Sequence, residues 1–140
     1  MALNRDTTNG EIAVFYRNST NVGNISVTTT ATTYNSGSDY RLKENIEPMV
    51  GALDKVAQLN PVTFNWKADG SEGHGFIAHE LQAVVPECVT GEKDAVNEDG
   101  TPKYQGIDPS KMVGILTAAI QEQQAIITDL KARIEVLENK

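Results

Sequence analysis

Ser38 and Lys43 stand five residues apart in Ser38-Asp39-Tyr40-Arg41-Leu42-Lys43-Glu44-Asn45-Ile46, and a serine with a lysine can form a two-residue nucleophile and base. A serine hydroxyl is a poor nucleophile unless a base takes its proton. A lysine amine can take it when neutral, which calls for desolvation or a cationic neighbour. Arg41 is one such neighbour in the sequence. Ser–Lys pairs are an established variant of the Ser-His-Asp logic. Spacing alone says little, because a solvated turn gives the same pattern. Position says more: the pair lies where a polar, threonine-rich segment gives way to a charged one, so its expected substrate is the chain itself.

The composition step is sharp. From Asn18 to Ser38, sixteen of 21 residues are Ser, Thr, Asn or Gly, too few apolar groups for a core. The net charge is −7. Arg5, Arg17, Asp6 and Glu11 cancel within residues 1–38, so all the excess negative charge lies in 39–140. That sign disfavours phosphate neutralisation, and nucleic acid is not an expected partner. No run of 18 apolar residues is present, so no membrane span is expected, and the N-terminus lacks the regions of a signal peptide. One cysteine, Cys88, excludes an internal disulfide framework and fits a reducing compartment.

The bond to be cut follows from ring size. Ser38 Oγ reaches the Gly37 carbonyl carbon through a five-membered ring, whereas its own carbonyl would require a strained four-membered one. Gly37 adds little bulk and allows unusual dihedrals. Cleavage is therefore expected at Gly37–Ser38, through an ester that water resolves. Ser38–Asp39 is the alternative if the nucleophile comes from another chain. Proximity would supply much of the acceleration, and an oxyanion donor is needed that the sequence does not name.

The elements that must position this chemistry can be read in part. Residues 11–16 and 24–29 are expected as short strands, with Ile12 and Val14, then Ile25 and Val27, at period two and a turn at 18–23. The Thr-rich stretch is either an unordered linker or a fibre stalk whose strands neighbouring chains complete; β-branched threonines favour the stalk. Residues 47–59 read as a helix with Pro48 in its first turn, stopped by Asn60-Pro61. Val62, Phe64 and Trp66 alternate as a half-buried strand, followed by a turn over 68–73 and a second strand at Gly75–Ala78. His79–Val85 reads as a short helix ended by Pro86, and 91–106 as a loop or exposed hairpin. Phe64, Trp66 and Phe76 are assigned to the core, as is an inert Cys88.

The C-terminal segment carries the clearest periodicity. Asp108 is an expected N-cap with Pro109 at the first helical position. Val113, Ile120, Ile127 and Ile134 fall at position a of a heptad, and Leu116, Gln123, Leu130 and Leu137 at position d. A helix over 108–138 would be about 45 Å long, too long for so small a domain to bury, so partner chains are expected. The alternative is a helix lying on its own domain. Isoleucine at a with leucine at d nominally favours two strands, and Gln123 leaves room for three.

The nine residues from Ser38 resemble the signature Ser-Asp-x-Arg-x-Lys of the self-cleaving intramolecular chaperone of phage tailspikes and tail fibres, an endosialidase-type S74 peptidase. Gly75-Phe76-Ile77-Ala78-His79-Glu80-Leu81 is similar to that family's Gly-Phe-Ile-Ala-Gln-Glu-Val block, departing at His79 and Leu81. Tyr104 to Gln123, with Ile107-Asp108 and Ala119-Ile120-Gln121-Glu122, is similar to its closing segment. The resemblance implies an α+β fold in an intertwined homotrimer. Residues 1–37 would be the β-rich end of a tail fibre, and 38–140 the chaperone with its long coiled-coil helix. It implies Ser38 and Lys43 as the catalytic dyad, with Gly37, Ser38 and Asp39 around the cut. The partners implied are two further copies of the chain and the fibre segment before Ser38. The mature fibre would be in the virion tail, with the chaperone released in the host cytoplasm, and any receptor-binding or glycan-cleaving part would lie upstream of Met1. The rival reading is a non-catalytic trimerisation and attachment module.

No cofactor or metal is expected. His74, His79, Glu80 and Cys88 have no zinc spacing. Ala95 occupies a ligand position in the calcium-like run Asp94, Asn97, Asp99, Gly100, and no Lys-Ser or Lys-Thr follows Gly70, Gly73 and Gly75 to make a phosphate loop.

Overall fold

The computed structural model describes residues 3–139. The chain divides into two compact units, with the boundary between Glu47 and Pro48. It is a mixed α+β protein with small antiparallel sheets and one long C-terminal helix.

The N-terminal unit is a three-stranded antiparallel sheet in the order β1 (Gly10–Arg17), β2 (Thr20–Val27), β3 (Thr32–Ser36). Asn18 and Ser19, both at positive φ (49° and 63°), turn β1 into β2, the pattern of a two-residue type I′ hairpin. The turn is thus shorter than the expected 18–23, and β2 starts and ends earlier than 24–29. The β2–β3 connection is closed by Thr28, whose Oγ1 accepts from the Thr30 and Ala31 amides at 3.2 and 3.0 Å. β3 has no apolar alternation for sequence reading to detect. Backbone pairing with β2 and a polar ladder hold it: Asn24 Nδ2 donates to Glu11, while Asn35 Nδ2 donates to Asn24 and Ser26. Gly23 permits the close pairing, since a Cβ there would sit 2.5 Å from the Asn35 carbonyl oxygen. None of the described residues 3–47 is buried, and Phe15, Tyr16, Val22 and Tyr34 are exposed. The Thr-rich segment is ordered as strands that enclose no core of their own.

The C-terminal unit holds the core. Ala52, Leu81, Val85, Cys88, Val89, Met112, Ile115, Ala118 and Ala119 are buried together, with Leu53, Val56, Leu59 and Phe76 packed against them. They come from α1 (Ala52–Ala57), α2 (Ala78–Val84) with Val85 at its C-cap, the 3-10 turn Pro86–Cys88, the short strand β6 (Val89–Thr90) and the start of α3 (Met112–Glu138). Burial pushes the Cys88 thiol up, aided by the charges of Glu87 and Asp108. The hairpin pairs β4 (Val62–Asn65) with β5 (Glu72–Gly75). β5 therefore precedes the expected Gly75–Ala78 strand, whose residues lead into α2 instead. Trp66 departs from its core assignment: it is 57% exposed, edge-on to Phe64 at 5.1 Å. β6 pairs with β7 (Gly106–Ile107) and closes the loop over 91–105.

α1 is shorter than the expected 47–59 helix. Gly51, at φ 71°, enters it in the left-handed conformation and gives no side-chain cap, a backbone state suited to glycine. The cap comes from 70 residues away: the Glu122 carboxylate on α3 accepts from the Ala52 and Leu53 amides at 3.1 and 2.8 Å. The Leu53 amide first, then that of Ala52, holds the Glu122 carboxyl below its ordinary range. The folded carboxylate thus binds its proton less tightly than the unfolded one. Its stabilisation is present above the ordinary glutamate range and is lost as pH falls through the lowered value. Glu122→Gln is expected to lower the melting temperature by about 5 °C near neutrality, with the gap to wild type closing as pH falls below the ordinary glutamate range. A gap constant with pH would contradict the cap.

Asp108 caps the 3-10 turn Pro109–Lys111 that feeds α3, its Oδ1 accepting from the Ser110 amide at 3.0 Å. Two faces of α3 have separate fates. Met112, Ile115, Ala118 and Ala119 face the unit's own core, as the alternative of a helix lying on its domain requires. The heptad residues Val113, Leu116, Ile120, Ile127, Leu130, Ile134 and Leu137 are between 42% and 67% exposed. From Gln123 to Asn139 every residue is exposed.

Candidate functional site

Ser38 and Lys43 meet in the N-terminal unit. Lys43 Nζ lies 2.8 Å from Ser38 Oγ, with both side chains in solvent. Residues five apart on a regular helix point about 140° away from one another, so a helix could not bring them together. The chain instead enters in extended form at Asp39 (φ −61°, ψ 136°), makes one 3-10 turn over Tyr40–Leu42, and leaves extended at Lys43 (φ −125°, ψ 144°). The Leu42 amide donates to the Asp39 carbonyl and the Lys43 amide to the Tyr40 carbonyl, each at 3.1 Å.

Asp39 and Arg41 brace this turn. Asp39 Oδ1 accepts from the Arg41 backbone N–H at 2.9 Å, and the guanidinium spans both carboxylate oxygens, Nε to Oδ1 at 2.9 Å and a terminal nitrogen to Oδ2 at 2.7 Å. The Arg41 side chain, and then its amide, holds the Asp39 carboxyl below its ordinary range. Arg41 thus directs its charge at Asp39, not at Lys43 as the sequence reading entertained.

Gly37 immediately precedes the pair. Its amide donates to the Val22 carbonyl at 3.3 Å, tying the strand end to β2. It lies outside the left-handed region, and a Cβ there would make only ordinary contacts, the nearest with Leu42 Cδ1 at 3.6 Å. The expectation that glycine is needed here for unusual dihedrals has no counterpart in this backbone.

The arrangement suits proton transfer. A heavy-atom separation of 2.8 Å is within the range for a general base and its nucleophile. An ammonium donates across it to the hydroxyl oxygen; a neutral amine accepts the hydroxyl proton over the same distance. Both side chains are local to one turn, so their proximity could be anticipated from the sequence. The bracing of that turn by Asp39 was not read, although its signal is present: an Asp two residues before an amide it can accept from is an Asx-type cap.

Residues 38–90 match the family model described as Peptidase_S74, Chaperone of endosialidase. The chain is 36% identical over 113 residues to the long tail fiber protein Gp37 of Enterobacteria phage K3, covering 74% of this chain and 8% of that protein. The same protein of Enterobacteria phage T2 is 36% identical over 113 residues, with 7% of its length covered. That of Salmonella phage S16 is 26% identical over 113 residues, with 14% covered. The chain thus spans only a small part of the curated relatives it matches.

Proposed function

Because the chain carries a peptidase S74 chaperone-of-endosialidase domain and is homologous to phage long tail fibre proteins, we propose that it trimerises and registers a tail fibre and then cuts itself off, with Ser38 as nucleophile and Lys43 as base. The reading rests above all on the 2.8 Å approach of Lys43 Nζ to Ser38 Oγ at the point where the strand-rich segment ends. Residues 1–37 act as the fibre end and 38–140 as the chaperone, and the mature fibre belongs to the virion tail.

In the first step Ser38 Oγ attacks the Gly37 carbonyl carbon while Lys43 Nζ takes the hydroxyl proton. The C–N bond breaks, and the Ser38 amine leaves with the proton returned by the Lys43 ammonium. Water then hydrolyses the Gly37–Ser38 ester, leaving a Gly37 carboxylate and restoring the hydroxyl. The same dyad acting from a neighbouring chain would cut Ser38–Asp39. Either reaction is internal and single-turnover.

Assembly and chemistry are coupled through solvent. In one chain the dyad is exposed, and desolvation favours the uncharged amine that a base must be. Neighbouring chains packing on the coreless sheet would remove that water. The exposed heptad face of α3 supplies the trimer contact, and tethering raises the effective concentration of strands that pay a large entropic cost to align. Cleavage then removes the registering device.

Sedimentation of uncleaved Ser38→Ala protein tests the assembly half. The expected mass is three times 15.2 kDa; a single-chain mass at micromolar concentration would contradict it. The non-catalytic module predicts the same trimer but no fragments.

A further inference from the structure

We propose that Asp39 and Arg41 are positioning residues for the self-cleavage, together bracing the single turn that brings Lys43 Nζ to Ser38 Oγ. The inference rests on the reading of Ser38 and Lys43 as the dyad and adds to it what holds them together.

The turn has little else to hold it. Three residues of 3-10 helix have poor hydrogen-bond geometry and none of the cooperativity of a longer helix. Tyr40 and Leu42, the two apolar residues in it, are exposed, so packing within the chain does not fix it. Its fixed points are two backbone hydrogen bonds of 3.1 Å and the three contacts that Asp39 makes, all to Arg41. One carboxylate oxygen caps the turn through the Arg41 amide, and the fork of the guanidinium prevents the carboxylate from rotating away. Arg41 sits between the two dyad residues and Asp39 next to the nucleophile. Loss of either therefore frees the turn that sets the Ser38–Lys43 distance.

The pair is exposed, with side chains 74% and 41% accessible for Arg41 and Asp39. Exposed pairs contribute little to global stability, so its removal should leave fold and assembly intact while reaching the chemistry. An error of about 1 Å in placing a base can cost about 100-fold in rate. The turn thus has a disproportionate effect on cleavage.

The test follows fragment formation by intact mass in wild type, Asp39→Ala, Arg41→Ala, the double variant and Asp39→Asn, with the sedimentation mass of each measured alongside. Asp39→Ala and Arg41→Ala are expected to cut the same bond about 10- to 100-fold more slowly. The double variant should be no slower than either single, because one unit is broken in each case. Asp39→Asn keeps an acceptor for the Arg41 amide but loses the second oxygen that the guanidinium fork grips, and should slow cleavage about as much as Arg41→Ala. Sedimentation mass should not change. Single variants at the wild-type rate, or effects that multiply in the double, would overturn the inference. So would an Asp39→Ala protein as silent as Ser38→Ala, which would give the carboxylate a direct chemical part. A wild type that stays whole defeats the dyad reading and this inference with it; a cleaving wild type with indifferent variants defeats this inference alone.

Discussion

Lys43→Arg is expected to abolish self-cleavage as fully as Lys43→Ala, slowing it at least about 1000-fold. Arginine keeps the positive charge, the reach and the ability to donate to Ser38 Oγ, but it does not deprotonate in a protein. It therefore separates a lysine that acts as a base from one that merely orients the hydroxyl by donating a hydrogen bond. If the 2.8 Å contact served only to order the turn, Lys43→Arg would keep most of the rate. Ser38→Ala should yield no fragments at all, and Ser38→Cys should retain measurable cleavage, since a thiolate is the better intrinsic nucleophile. Gel densitometry over a day after purification resolves these cases. Cleavage by Lys43→Arg within tenfold of wild type would remove lysine from the role of base.

The second large effect concerns assembly. Ile127→Asp with Leu130→Asp replaces two side chains that are each 48% exposed in the single chain. An exposed carboxylate there costs the isolated chain little. In a three-chain contact the change removes six apolar side chains, each worth about 1.5–3 kcal/mol when fully buried, and places like charges together. An association loss of at least about 10,000-fold is expected, even if only part of that burial is realised. Sedimentation should then report one chain where wild type reports three, and cleavage should fail with it. Ile115→Ala is the contrasting case. It lies on the face of α3 turned to its own core and is 3% exposed, so it should lower fold stability by about 2–5 kcal/mol. A three-chain mass persisting in Ile127→Asp/Leu130→Asp would show that the heptad face is not the contact.

Those two faces show what periodicity reports and what it does not. Val113 to Leu137 stand out as an apolar stripe because large aliphatics recur at three and four, and in the single chain that stripe is exposed. Half of the inward face of Met112, Ile115, Ala118 and Ala119 is alanine, whose burial depends on what α1 presents to it. The same limit hid the start of α1: its cap is Glu122, 70 residues along the chain from Ala52, and no local rule reports a partner so distant. β3 was missed because Thr32–Ser36 has no apolar alternation and relies on a polar ladder and on β2. The hairpin slipped because Gly75-Phe76-Ile77 reads as strand, whereas Phe76 packs on the core next to α2. Trp66 was misplaced because large aromatics are usually covered, and in the single chain this one is not.

The Ser38–Lys43 contact was legible for the opposite reason. Ser38, Asp39, Arg41 and Lys43 lie within six residues, and the geometry between them is that of one turn. Even so, sequence reading offered Arg41 as a neighbour of Lys43, while the structure pairs it with Asp39. A charge's partner depends on which side of the turn it leaves from, and spacing alone does not fix that.

Intact mass spectrometry of freshly purified wild type beside Ser38→Ala tests the central claim most directly. The account predicts two complementary fragments in the wild type, of about 37 and 103 residues for a cut at Gly37–Ser38, and only the full-length mass in Ser38→Ala. Fragments one residue longer and shorter would place the cut at Ser38–Asp39 and point to a nucleophile from a neighbouring chain. A wild type that remains whole for days as a stable trimer would contradict self-cleavage and leave a trimerisation module in its place.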